Sequence, residues 1–274
     1  MTQASAPRVV VITGASDGIG AEMARQLAAS EGAGLALVLA ARNASQLELV
    51  AAECAALEAQ VLVVPTDVSV RIQCRRLVIT AVERFGRIDV LVNNAGRSAH
   101  ALFEEVEDLD WYEELMRVNL WGAIWCTQAA LPHLKAARGS IVAVSSLAGL
   151  VGVPGRTAYS ASKFAMTGFF EALRAEVKGA GVSVTTAYPG VVATRIRYRG
   201  FNAQGQEAGT SALKEEGAMS VEECARLIIA GMNARKREVV MTAKGKIGRF
   251  LRLIAPGVVE KMALAALAED RRPH

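Results

Sequence analysis

Along the chain, short β-branched runs alternate with longer segments whose apolar residues recur every three or four positions. Seven runs read as strands: Arg8–Thr13 (RVVVIT), Leu35–Ala40 (LALVLA), Gln60–Pro65, Val90–Asn93, Gly139–Ser145 (GSIVAVS), Ser183–Tyr188 (SVTTAY) and Glu238–Met241. Between them the spacing predicts helices over Gly18–Ser30, Gln46–Leu57, Val70–Phe85, Trp111–Lys135, Tyr159–Lys178 and Val221–Met232, the fourth bent near Pro132. The strands are continuously apolar, as strands buried on both faces are. Strand and helix in alternation imply right-handed β-α-β units, hence a parallel sheet covered on both sides. Arg195–Ser220 breaks the rhythm, because it mixes Gly200, Gly205, Gly209 and Gly217 with polar residues and is too long for an ordinary connection. A binding loop or lid is expected there.

Composition narrows the class. With 274 residues, 52% hydrophobic and 21% charged, the chain can bury the core of one large α/β domain, which excludes bulk disorder. Cys54, Cys74, Cys126 and Cys224 are widely spaced, a reduced, cytosolic pattern. His100, His133 and His274 lie far apart and outside any ligand spacing, so no metal site is expected. MTQASAPR lacks the pattern of a signal peptide. The uncharged spans Val118–Leu134 and Gly139–Gly155 carry polar residues, glycines and prolines, so they read as buried elements rather than membrane spans.

The net charge of +4 is unevenly distributed. Residues 1–194 hold 16 basic and 18 acidic groups, net −2, whereas residues 195–274 hold 15 and 9, net +6. The body is therefore not basic, and no nucleic-acid partner is expected. Within the basic end, Lys244–Ile254 (KGKIGRFLRLI) puts Ile247, Phe250, Leu251 and Ile254 on one helical face, with Lys246, Arg249 and Arg252 elsewhere. Pro256-Gly257 then interrupts before a second apolar helix, Val258–Leu267. Such a tail suits packing on a second subunit or peripheral contact with an anionic membrane.

Three motifs carry chemistry. Gly14-Ala15-Ser16-Asp17-Gly18-Ile19-Gly20 joins the first strand to the first helix. Glycines there allow a tight turn and close approach of a pyrophosphate, which the helix N-terminus favours. The second strand ends in Arg42-Asn43 with no acid to hold a ribose 2′-hydroxyl. Arginine there suits a 2′-phosphate and favours NADP(H), although Asp17 stands where a basic residue would have helped the same phosphate. Third, Tyr159 and Lys163 are spaced i, i+4 and share a helix face. A phenol is a poor acid–base group at neutral pH, and a nearby ammonium favours its ionised form.

Together these residues resemble the classical short-chain dehydrogenase/reductase family from about Arg8 to Thr194. Thr13–Gly20 looks like the family's cofactor loop, Asp67-Val68 its adenine contact, and Asn93-Asn94-Ala95-Gly96 its segment after the fourth strand. Pro189-Gly190, with Val192 and Thr194, matches the segment that cradles the nicotinamide. Asn119, Ser146, Tyr159 and Lys163 match the catalytic tetrad. The family places its serine thirteen residues before the tyrosine, which selects Ser146, and adjacent strand residues point to opposite faces, which leaves Ser145 structural or near the cofactor.

The resemblance implies one doubly wound Rossmann-type domain with a seven-stranded parallel sheet of order 3-2-1-4-5-6-7. Residues 1–243 would form the catalytic domain and 244–274 a helical extension of it. It implies a homodimer or homotetramer, and an NADP(H)-dependent oxidoreductase in which Tyr159 is the acid, Ser146 orients the carbonyl, Lys163 holds the nicotinamide ribose and Asn119 supports a proton relay. LVLAARN, VSSLAG and the tail are similar to the hydroxysteroid-dehydrogenase and carbonyl-reductase branches, which implies an apolar ketone, aldehyde or secondary alcohol. His100, Val151, Val153 and Pro154 are expected at the substrate pocket. A 3-oxoacyl-thioester ketoreductase is the alternative chemistry, and a non-catalytic NADP sensor or scaffold the alternative class.

Overall fold

The computed structural model describes residues 6–209 and 217–270. The readings placed on residues 1–5, 210–216 and 271–274, including part of the expected lid and the end of the tail, lie outside the described residues. Seven strands, β1 (Arg8–Thr13), β2 (Leu35–Ala41), β3 (Gln60–Pro65), β4 (Val90–Asn93), β5 (Ser140–Val144), β6 (Ser183–Tyr188) and β7 (Glu238–Val240), form one parallel sheet of order β3-β2-β1-β4-β5-β6-β7. The chain order reverses between β1 and β4, where Val10 stands beside both Leu37 and Val90.

Continuous apolar strands have a direct consequence. Alternate residues feed opposite faces, and each face needs its own helical cover. Val9, Val11, Val38, Leu91 and Ile141 pack under α3 (Arg71–Phe85), α5 (Gly122–Ala137) and α6 (Thr157–Val177). Val10, Ile12, Leu37, Leu39 and Val92 pack under α1 (Gly18–Glu31), α2 (Ala44–Ala55) and α7 (Val221–Asn233). The four cysteines are free thiols buried in these layers. Burial pushes the Cys54 thiol up to about 11 and the Cys224 thiol to about 12, so both behave as small apolar side chains.

One predicted element differs in kind. Instead of a helix over Trp111–Lys135 bent near Pro132, the structure has α4 (Asp110–Met116), a π-helical turn over Arg117–Trp121, and then α5, which runs on through Pro132. The irregularity falls at Asn119 because its amide is drawn into tertiary hydrogen bonds, described below. A wide turn commonly re-aims a side chain in this way. Helix α2 begins two residues earlier than its apolar spacing suggests, because Asn43 caps it by accepting from Gln46 N at 3.0 Å.

After β6 the chain leaves the sheet for the expected loop and returns at a backbone clamp, Ala193 N to Met219 O at 3.0 Å and Met219 N to Val191 O at 2.9 Å. The loop folds on itself through Ala208 N to Gly200 O at 2.8 Å, and it is stitched to the segment after β4 by His100 N to Phe201 O at 2.9 Å. Two helices end the described chain, α8 (Ala243–Ile254) and α9 (Pro256–Asp270). Among the described residues, no helix is long and apolar enough to cross a membrane.

The carboxyl ends of β1 and β4 are held by one hydroxyl. Thr13 Oγ1 donates to Val92 O at 3.2 Å and accepts from Asn94 N at 3.0 Å and Ala95 N at 3.1 Å. Thr13→Val keeps the shape and strands two backbone N–H groups, at about 1–3 kcal/mol each. Thermal unfolding of this variant is expected to fall by roughly 5–15 °C; an unchanged midpoint would show that this junction does not hold the sheet.

Candidate active site

The crevice opens where the strand order reverses, above the carboxyl ends of β1, β4 and β5, the position at which open α/β sheets bind ligands. Its floor is the glycine loop. Gly14 takes a left-handed φ of 66°, and a Cβ there would lie 2.8 Å from Ala95 Cα. A Cβ at Gly20 would strike Gly14 O and come within 2.5 Å of Asn94 Nδ2. Asn94 Nδ2 donates to Thr13 O at 3.0 Å and Gly14 O at 3.1 Å, pinning the loop beneath the N-terminus of α1. Ala15 N is tied to Ala40 O at 3.1 Å, while Ser16 is half-buried beside it. Ile19 turns down onto the α1 face of the core. Asp17 caps α1, accepting from Gly18 N at 2.7 Å, and its other oxygen pairs with Arg199 at 3.1 Å. Thr194 closes the loop from above, 3.3 Å from where a Gly18 Cβ would stand.

Around this floor the other expected cofactor residues take distinct places. Arg42 is exposed at the end of β2, and the Asn43 amide oxygen is spent on its cap. Asp67 Oδ1 accepts from Ser69 N at 2.9 Å and Ser69 Oγ at 2.7 Å. Val68 is buried against Gly122. Asn93 turns its side chain to α5 and donates to Thr127 Oγ1 at 2.9 Å, tying the end of β4 to that helix. The strand pleat sends Asn93 and Asn94 to opposite faces, and Asn94 meets the glycine loop. Pro189 O accepts from Leu147 N at 3.0 Å, Gly190 packs under Thr242, and Val192 bridges to Met219.

The four expected catalytic residues share one wall. Lys163 is buried, and its Nζ donates to Val144 O at 3.0 Å, its one hydrogen bond among the described residues. Burial pushes its ammonium below the ordinary lysine range; Tyr159 opposes that shift and Arg156 adds to it. Gly96 stands close by, its absent Cβ 3.3 Å from Asn119 Oδ1 and 3.6 Å from Lys163 Nζ. Asn119 is fully buried, accepting from Arg97 N at 2.8 Å and donating to Arg97 O and Ser162 Oγ, each at 3.0 Å. Ser162 Oγ in turn donates to Tyr159 O at 2.8 Å. The Tyr159 ring centre lies 5.8 Å from Lys163 Nζ. Ser145 and Ser146 diverge. Ser145 Oγ is buried and donates to Lys163 O at 3.3 Å, whereas the half-buried Ser146 Oγ accepts from Ala148 N at 3.2 Å.

Tyr159 packs in a buried apolar cluster with Ala99, Trp111, Ala148 and Phe201. Val153 packs against this cluster, but Val151 lies beneath α8, with Gly248 beside it. His100 and Pro154 are half-buried, the His100 ring 3.6 Å from where a Gly155 Cβ would stand. The motif reading missed Arg156. Its guanidinium lies 4.2 Å from the Tyr159 ring centre and donates to Ser98 Oγ at 2.7 Å and Ala99 O at 3.3 Å. Its place three residues before the tyrosine, at the start of α6, is the signal that was there to find.

These features fit a dinucleotide: a floor that admits no Cβ at positions 14 and 20, a helix N-terminus facing the crevice, and a buried ammonium with two N–H groups to spare.

Known proteins agree with this geometry. The family model described as short chain dehydrogenase matches residues 8–204. The 11-beta-hydroxysteroid dehydrogenase A of Sesamum indicum is 37% identical over 261 residues, covering 93% of this chain and 74% of that protein. A short chain dehydrogenase/reductase from Burkholderia phymatum, solved in complex with NAD, superposes with a TM-score of 0.80 at 27% identity, covering 92% of this chain and 95% of that one. An alcohol dehydrogenase from the archaeon Thermococcus sibiricus, complexed with 5-hydroxy-NADP, gives 0.75 at 27% identity over 85% and 95%. With the matched region spanning most of the chain, from the glycine loop through the wall that carries Tyr159 and Lys163, the protein belongs to the short-chain dehydrogenase family of oxidoreductases.

Proposed function

We propose that the protein interconverts a bulky apolar ketone and its secondary alcohol with NADP(H), residues 1–243 carrying the chemistry. The observation that carries this reading is the buried Lys163 ammonium, set one helical turn from Tyr159 and keeping N–H groups for an acceptor in the crevice. When bound, the nucleotide supplies a hydride to a carbonyl carbon or takes one from an alcohol carbon. Tyr159 Oη then donates a proton to the carbonyl oxygen, or in reverse takes one from the hydroxyl. Ser146 Oγ donates to that oxygen and stabilises its developing negative charge. Lys163 would hold the nicotinamide ribose hydroxyls, and the buried Asn119 amide keeps this wall in place.

Arg42 at the end of β2, with no acid in its place, supports NADP(H). The apolar surroundings of Tyr159 support an apolar substrate, as do relatives named 11-beta-hydroxysteroid dehydrogenases. The test is a panel of steroid ketones, simpler ketones and β-ketoacyl thioesters, followed by NADPH absorbance. Turnover of apolar ketones is expected; turnover confined to the thioesters would replace the substrate class. No turnover on any carbonyl, with NADPH still bound, would favour a sensor.

Tyr159→Phe is expected to lower kcat by about 10²–10⁴-fold while NADPH binding persists. Residual activity near wild type would overturn the acid assigned here. Arg42→Ala is expected to raise the KM for NADPH by about ten- to a hundredfold and leave that for NADH nearly unchanged, one charge-assisted contact being at stake. Equal effects on both cofactors would remove Arg42 from phosphate recognition.

A further inference from the structure

We propose that the α8–α9 pair docks on an anionic lipid bilayer and sets the mouth of the substrate pocket against it. An amphipathic helix normally turns its apolar stripe to the core. In α8 the direction is reversed. Arg249 forms an ion pair with Glu238 of β7, and Arg252 donates to Leu150 O at 2.6 Å and lies 4.8 Å from the Phe164 ring centre. Gly245 is buried under Leu147, and Gly248 sits beside Val151. With the arginines and glycines on the body, Ile247, Phe250 and Ile254 point outward at 57%, 63% and 63% exposure. Helix α9 adds the exposed Val258 and Met262. Exposed apolar side chains gathered on one helix face in this way mark an interaction site.

Charge decides the partner. Helix α8 carries Lys244, Lys246, Arg249 and Arg252 and no acid, so it supplies the positive field, whereas α9, with Glu260 beside Lys261, supplies apolar area only. At 100° per residue, the exposed Lys244 and Lys246 fall on opposite sides of the apolar stripe. An apolar stripe between lysines matches an acyl layer beneath negative headgroups. A second copy meeting this face symmetrically would set two cationic helices against each other. The surface also borders the pocket: α8 covers Leu147–Val151, which directly follow Ser146, and Leu267 of α9 comes within 3.2 Å of where a Gly155 Cβ would stand. On the proposed reading of an apolar ketone, lipid-dissolved substrate would enter without crossing water.

Flotation of the full chain with phosphatidylcholine vesicles, with and without phosphatidylglycerol, tests the docking without reference to activity. Binding is expected to be stronger on the anionic vesicles by about tenfold or more and to weaken at high salt. Phe250→Glu with Ile254→Glu is expected to lower it by at least about tenfold, with unchanged circular dichroism and unchanged mass in sedimentation. Lys244→Glu with Lys246→Glu is expected to abolish the preference for anionic lipid. Equal flotation on both vesicle types, or wild-type flotation by the Phe250/Ile254 variant, overturns the proposal. A wild-type oligomer that this variant dissociates, with no vesicle binding, gives the face to a second copy instead.

Discussion

A lysine ammonium buried in a protein interior is costly, and this fold keeps one with a single backbone acceptor. Among the described residues no carboxylate pairs with Lys163, and burial holds its ionisation below the ordinary range. Partnering it with an acid would have stabilised the resting fold and removed its capacity to bind anything else. The position survives because α6 is locked to the sheet by Met166 and Phe170, both fully buried, so the helix cannot move to hydrate the group. Around that fixed cation the other site groups are set by satisfied hydrogen bonds. The Asn119 amide uses all three bonds recorded for it on Arg97 and Ser162, and Ser145 caps the Lys163 carbonyl. On this wall Asn119 and Ser145 are thus satisfied within the protein, while Lys163 keeps N–H groups for an acceptor in the crevice.

The same economy governs the glycine loop. The Thr13 hydroxyl and the Asn94 amide consume the loop's inward-facing carbonyls and the amides that begin the Asn94-Ala95 turn, which brings β1 and β4 close enough that only glycine fits at positions 14 and 20. The N-terminus of α1 is left facing the crevice. Over it lies Arg199, paired with Asp17 across two half-exposed side chains. An ion pair this exposed contributes little, at most about 1 kcal/mol. The loop over the crevice is therefore anchored by its backbone clamp at Val191–Met219 and by Phe201 against the segment after β4, and the Arg199–Asp17 pair adds little to either.

Apolar runs such as RVVVIT and LALVLA announced the buried parallel strands, and the glycine spacing announced the strand-to-helix turn, because both follow from local chain physics. What stayed hidden depends on tertiary contacts. The π-helical turn falls at Asn119, whose amide donates to both Arg97 O and Ser162 Oγ, and nothing in the apolar spacing of Trp111–Lys135 encodes them. Asn93 and Asn94 are identical side chains in adjacent positions, and only the pleat decides that one meets Thr127 and the other the glycine loop. Asp17 looked unfavourable for a phosphate, but its local work is to cap α1. Arg156 belongs to no motif, and its place at the site appears only when Ser98, Ala99 and the Tyr159 ring are brought under it.

The tail shows the same limit in its strongest form. Periodicity identified a stripe through Ile247, Phe250, Leu251 and Ile254, yet periodicity is blind to rotation about the helix axis. That rotation is set by partners distant in sequence, Glu238 for Arg249 and Leu150 O with Phe164 for Arg252. The positive surplus of the carboxyl-terminal end therefore divides in two. Arginine, with its planar fork and weak hydration, is spent inward as an anchor; Lys244 and Lys246 remain in water. Exchanging the two kinds of residue would leave the net charge and the amphipathic pattern unaltered while loosening the grip that keeps the apolar stripe outward. The direction in which that stripe faces is thus carried by arginine geometry rather than by hydrophobicity.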